Sequence, residues 1–204
     1  MPKICTCPVP SAIASIITAT PCPQQFGQTQ KVFFVRKGQT IASVASLITE
    51  AVFDALLITT DDTKMVASPI MGNPVFEPGA IKEFGTGNEV QNGIPINMGS
   101  DMTKFTARIY DNPQTIITLM KELGCEDLEV YFVNGNGFWG HSMSTSTAIK
   151  GFDVYQVFVG DKKVGGYDEP DVNEVQFYLP PNWSDDFTIT DPTDNYNPLT
   201  KFNA

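Results

Sequence analysis

Residues 31–36 read Lys-Val-Phe-Phe-Val-Arg. Four consecutive β-branched or aromatic residues between two cations make a short strand, and Gly38 supplies the turn that ends it. The period then changes. Val44, Leu47, Ile48, Val52 and Leu56 recur at helical spacing, with Thr40 or Ser43 placed to cap the helix. Asp61-Asp62 is the turn after it, and Lys64–Ala67 is a short strand stopped by Pro69. Strand, helix, acidic turn, strand is the pattern from which the rest of the chain is read.

The same pattern recurs further on. Thr103–Tyr110 alternates as a strand does. Asn112 suits an N-cap, Pro113 the first helical position and Gly124 the C′ position. Ile116, Ile117, Leu119, Met120 and Leu123 give the intervening helix an apolar face. Glu126-Asp127 then forms a second acidic turn before a strand at Leu128–Val133, and Asn134-Gly135-Asn136-Gly137 is a hairpin turn. Between the two units, Gly72 to Ser100 is rich in glycine and proline. It reads as loops and brief strands, with turns at Gly85-Thr86-Gly87-Asn88 and Asn92-Gly93. Phe152–Val159, Val172–Leu179 and Phe187–Thr190 are further strands.

The expected fold is mainly β, of the α+β kind: a β-sandwich-like sheet with two flanking helices and extended terminal arms. Residues 1–30, rich in proline and carrying Cys5, Cys7 and Cys22, cannot form a long helix and read as an extended N-terminal arm. Residues 31–190 read as a single β-rich domain. Residues 191–204 are polar, contain Pro192 and Pro198, and read as an exposed C-terminal arm.

Composition narrows the function. The 204 residues, 42% hydrophobic and 11% aromatic, suffice for a packed core. A formal net charge of -10 with no basic run lacks the positive footprint that nucleic-acid binding needs. No apolar stretch reaches the length of a membrane span, and the short one at Ala12–Ala19 lacks the flanks of a cleaved leader. Only 18% of residues are charged, which suits a protein that covers its surface with neighbouring copies.

Candidates for chemistry are sparse. His141, the one histidine, sits in Phe-Trp-Gly-His-Ser without a nucleophile-elbow pattern, and reads as a loop histidine. Cys5, Cys7 and Cys22 leave zinc, a disulfide and free thiols all open, while Cys125 reads as packing. Gly135-Asn136-Gly137 and Gly85-Thr86-Gly87 lack the residues that make a phosphate loop. Asp61-Asp62, Asp168-Glu169 with Asp171, and Asp185-Asp186 fit no calcium loop and read as solvated turns. No catalytic, cofactor-binding or metal-binding residue is therefore assigned, no cofactor is expected, and the chain does not read as an enzyme. A carbohydrate-binding module using Trp139, Trp183 and Tyr167 is the alternative to a structural role.

Pro21 to Gln28 (Pro-Cys-Pro-x-x-Phe-Gly-Gln), followed at once by Val32-Phe33-Phe34-Val35-Arg36, resembles virion proteins of tailed bacteriophages infecting Bacteroidetes. Ala55-Leu56-Leu57, Thr59 to Met65, Ser68-Pro69 and the stretch through Pro95 fit the same resemblance. The element order is similar to the tail-tube type of fold. The resemblance implies a virion structural subunit made in the host bacterial cytoplasm, a homo-oligomer in a ring or tube, with other virion proteins as partners. It implies a viral tail position, tail tube before capsid decoration or neck and collar, and transfers no site residue. Uncharged strands suit such assembly, because edges are blocked in monomers. Val32–Val35 or Val154–Val159 is therefore expected to pair with a neighbour's sheet.

Overall fold

The strand expected at 31–36 runs over Thr29–Arg36 (β1), and both of its faces are buried. The structure, a computed structural model, describes residues 25–41, 43–85, 95–145, 147–193 and 196–202. After β1 come helices α1 (Ala45–Ile48) and α2 (Glu50–Ile58) and strands β2 (Val66–Ala67), β3 (Gly72–Glu77), β4 (Ile81–Phe84), β5 (Ile96–Ser100) and β6 (Thr103–Tyr110). Helix α3 (Gln114–Glu122) leads to β7 (Leu128–Asn134), β8 (Trp139–Met143), β9 (Ile149–Lys150), β10 (Phe152–Val159), β11 (Val172–Leu179) and β12 (Thr188–Thr190). The fold is mainly β, with a large antiparallel sheet and few helices, as expected.

Alternation along β1 explains its double burial. Val32 and Phe34 point into one core with Val130, Phe132, Phe105 and Phe177. Phe33 and Val35 point the other way, against Leu47, Phe53, Tyr131 and Trp139. Strands covered on both faces read as unbroken apolar runs, and β1 and β7 do so for this reason.

Antiparallel pairing runs from β2 through β1, β7, β10, β11 and β6 to β3. The backbone joining β2 to β3 stays on β1: the Ser68 amide donates to Val32 O (2.9 Å) and the Met71 amide to Gln30 O (2.7 Å). The sheet thus closes on itself, its walls facing one another across a phenylalanine-rich core. β7 divides one edge between two partners. Leu128–Val130 pair with β10, and Phe132 and Val133 pair with β8, which carries β12 outside it.

Each end of the closed sheet has its own plug. Helix α3, between the end of β6 and the start of β7, inserts Ile117 and Met120. At the opposite end Trp183 stacks on Phe76 (ring centroids 5.5 Å apart) and meets Phe132, Phe152 and Phe187, while Phe26 packs edge-on against Phe187.

Several expectations change. The first helix is broken at Thr49, whose extended backbone (φ -98°, ψ 116°) separates α1 from α2. The break resets the phase, so Phe53 and Leu57 face inward while Val52 is exposed. Asn112 does not cap α3; its side chain donates to Tyr110 O (2.8 Å). Gly124 does follow the C-cap Leu123 of that helix, at the expected C′ position, but a 3-10 turn over Leu123–Cys125 takes the place of a left-handed cap. His141 is not a loop residue but lies on β8, fully buried. The C-terminal segment is no exposed arm, for Tyr196 and Pro198 are buried against the body. Of the expected N-terminal arm, residues 1–24, with Cys5, Cys7 and Cys22, lie outside the described residues, and Thr29 and Gln30 belong to β1. The turns at 86–88 and 92–93 also lie outside them.

Candidate assembly surface

The chain leaves the closed sheet at Glu77 and returns to it at Thr103. In between, β4 and β5 form a two-stranded antiparallel sheet of their own, with Ile81 opposite Ser100 and Phe84 opposite Ile96. Every residue of β4 is exposed, as are four of the five in β5. Ile81, Phe84 and Met98 are 65%, 57% and 66% exposed, and Met102 lies bare at the root. A two-stranded ribbon is marginal in water without a surface to cover it. This one also shows solvent a concentration of apolar side chains, which marks interaction surfaces.

Its root is fixed. The Asp101 amide donates to Ala80 O (2.8 Å), and Lys82 pairs with Asp101 (2.6 Å). Gly79 approaches the Asp101 carbonyl so closely that a Cβ there would lie 2.0 Å from the oxygen. The opposite end of the molecule has apolar exposure too, at Leu119 on α3 and at Val164 and Tyr167 between β10 and β11.

The strands expected to join a neighbour's sheet are already paired. β1 is bonded along both edges, so Val32–Val35 offer no free edge. β10 pairs with β7 at its start and with β11 at its end. Past Val154, where β7 has ended, the turn at Leu123–Cys125 covers it, with Gly124 packed onto the Val157 carbonyl.

The other candidates are dispersed. His141 Nε2 bonds Thr190 Oγ1 (2.9 Å) and Nδ1 bonds Ser142 O (3.0 Å), and burial holds its pKa below the usual value. It ties β8 to β12. Trp139 is buried between Phe33 and Phe53, and Trp183 plugs the sheet, so of the three proposed sugar-stacking aromatics only Tyr167 stands free. Cys125 is exposed, not packed. Asp61-Asp62 and Glu126-Asp127 are turns, and they meet at one cation. Arg36, ending β1, binds Asp62 (2.5 Å) and Glu126 (2.9 and 3.1 Å). The hydrogen bond from Arg36 lowers the pKa of Glu126. Among the described residues no group of three His, Cys, Asp or Glu is placed to hold a metal ion.

Two buried charges were not legible in the sequence. Lys31 is fully buried; its amine donates to the carbonyls of Leu199 (3.2 Å) and Lys201, and burial brings its pKa down to about 8. Glu129, also fully buried, accepts from the Gly38 amide (2.8 Å) and pairs with Lys150 (3.4 Å). Burial outweighs those partners and raises its pKa. A carboxyl with a raised folded pKa contributes stability that is complete below its unfolded pKa and lost as pH rises through the folded one. Glu129→Gln keeps the bond from Gly38, and Lys150 keeps Asp153 (3.0 Å). The variant is expected to gain on the parent in melting temperature from pH 4 to pH 7. A constant difference across that range would show that ionised Glu129 is fully compensated.

No known family description matches this chain, and no curated protein does. The solved chains to which it is similar include the following three. One is from the tail of an empty gene transfer agent particle, refined with C6 symmetry: 9% identity, TM-score 0.35, over 63% of this chain and 87% of that one. Another is from the virion of a native gene transfer agent particle: 10% identity, TM-score 0.31, over 58% and 82%. A third is from the six-fold symmetrised baseplate of the anti-feeding prophage: 8% identity, TM-score 0.35, over 86% and 99%.

Proposed function

We propose that this chain is a structural subunit of a tailed-phage virion, a tail tube protein before a neck, collar or capsid-decoration protein. It assembles with copies of itself into a ring or tube and contacts other virion proteins. The observation that carries this reading is the β4–β5 ribbon, held at its root by Asp101 and exposing Ile81, Phe84 and Met98. The closed sheet supports the reading as well, since it leaves the ribbon as a projection from an otherwise self-sufficient body. Assembly therefore runs through the ribbon and not through continuation of β1. The chain acts by shape and surface, without catalysing a reaction.

The test is the mass of the purified protein across a concentration series, with negative-stain images of the largest species. Rings or tubes are the expected result. A protein that stays monomeric at the highest concentration, alone and with a virion extract, would overturn the reading.

A further inference from the structure

Along β6 and β11 every second residue is buried, so Lys104, Thr106 and Arg108, with Glu174, Gln176 and Tyr178, point away from the core. Strand pairing sets these outward side chains in rows. Glu77, Lys104, Tyr178 and Tyr155 lie side by side on β3, β6, β11 and β10. Val75, Thr106, Gln176 and Phe158 form the next row, and Arg108 with Glu174 the one after. Val75 is 47% exposed, Phe158 55% and Tyr155 37%. The charges in these rows, Glu77 and Glu174 against Lys104 and Arg108, sum to zero, in a chain with a formal net charge of -10. Elsewhere Arg36, Lys82, Lys121 and Lys201 each hold a carboxylate. Lys104 and Arg108 close no ion pair among the described residues, although each lies opposite a glutamate.

We infer that this wall is the contact face of a two-fold pair of copies. Two sheets stack face to face with their strands nearly aligned, about 10 Å apart. A two-fold axis between the faces, along the strands and midway between β6 and β11, sets β6 on the partner's β11 and β3 on the partner's β10. Arg108 then meets the partner's Glu174, and Glu174 meets the partner's Arg108. In the middle row Val75 meets the partner's Phe158. In the first row Lys104 meets the ring of the partner's Tyr178, a cation–π contact. The face is thus complementary to itself, as an isologous contact requires. Copies of an acidic chain repel one another, but here the net charge vanishes and opposite signs face each other. Four strands about 4.8 Å apart, and eight residues at about 3.4 Å each, give roughly 500 Å² per copy and about 1,000 Å² for the pair. That is the low end for a specific contact, so the pair exchanges rapidly and fills at high protein concentration. It closes at two copies and uses neither strand of the ribbon, so it goes beyond the assembly reading and does not depend on it.

The test uses the full chain carrying Phe84→Asp and Met98→Asp, which disables the ribbon and leaves only pairing to be read. Sedimentation at rising concentration is expected to approach twice the chain mass. Adding Arg108→Glu sets like charges together at both contacts, and adding Glu174→Arg does the same with the other sign. Each is expected to stay a single copy. Mixed one to one, the two variants again place opposite charges at both contacts, and the mixture is expected to pair at the original concentration. Both positions are exposed, so each variant keeps its fold, with a melting temperature lowered only slightly by the adjacent like charges. A ribbon-disabled chain that stays single at the highest concentration would overturn the pairing. So would pairing that survives Arg108→Glu, or a folded mixture that stays single. Rings or tubes formed by the unsubstituted chain would leave the assembly reading standing in each of these cases.

Discussion

Phe132→Ala is expected to destabilise the fold by about 3–5 kcal/mol, the range for removing a fully buried aromatic ring. Phe132 has no exposed surface and lies on β7, the strand that bonds to β1, β8 and β10. Its ring meets those of Phe76 (5.4 Å), Phe105 (6.0 Å), Phe152 (5.6 Å), Phe177 (6.4 Å) and Trp183 (5.8 Å). Truncation would leave a void touching three walls and the plug at once, and a closed sheet has little freedom to collapse into it. Domains of this size have about 5–15 kcal/mol of stability, so the variant should stand close to unfolding. Urea titration followed by tryptophan fluorescence reads the loss. Phe158→Ala, on exposed β10 surface, is the comparison and should lie within about 0.5 kcal/mol of the parent. Equal losses at the two sites would mean that the phenylalanine core does not carry the stability.

The paired substitution Phe84→Asp with Met98→Asp is expected to abolish assembly while leaving the monomer's melting temperature unchanged. Both side chains are more than half exposed, and neither belongs to a buried cluster, so the body does not depend on them. Covering a large apolar side chain at an interface gives about 1.5–3 kcal/mol. Losing two of them raises the concentration for half-assembly by at least about a hundredfold, before the cost of burying two carboxylates is added. Sedimentation across a concentration series reads the change. Unchanged assembly would move the contact from the ribbon to the opposite end, where Leu119 and Tyr167 are exposed.

Much of the body was legible because its residues obey local rules. Thr103–Tyr110 alternates and is buried on every second residue; Val172–Leu179 does likewise. β8 was not legible, since Trp-Gly-His-Ser-Met carries little strand propensity. Its glycine is required by a distant ring: a Cβ on Gly140 would lie 2.6 Å from Phe187. The break at Thr49 was hidden as well, because apolar residues on both sides allow two helical phases and only Trp139 and Phe33 decide between them. The candidate surface was partly legible. Glycine and proline marked 72–100 as irregular, but pattern alone could not show that its apolar residues lack cover. The burial of Lys31 and Glu129 had no signal in the sequence, for nothing adjacent in the chain reveals partners lying 21 to 170 residues away.

The two-sided bonding of β1 also bears on how the molecule carries load. A pull on Phe26 enters β1 along its axis, whereas the bonds to β7, from Thr29 opposite Asn134 to Arg36 opposite Leu128, run across that axis. Such bonds are strained side by side and must give way together; they cannot open in sequence as a zipper does. At the far end of the strand Arg36 is gripped from both flanks by Asp62 and Glu126. A subunit tethered to others through the segment before β1 would therefore resist tension along that strand as a clamp.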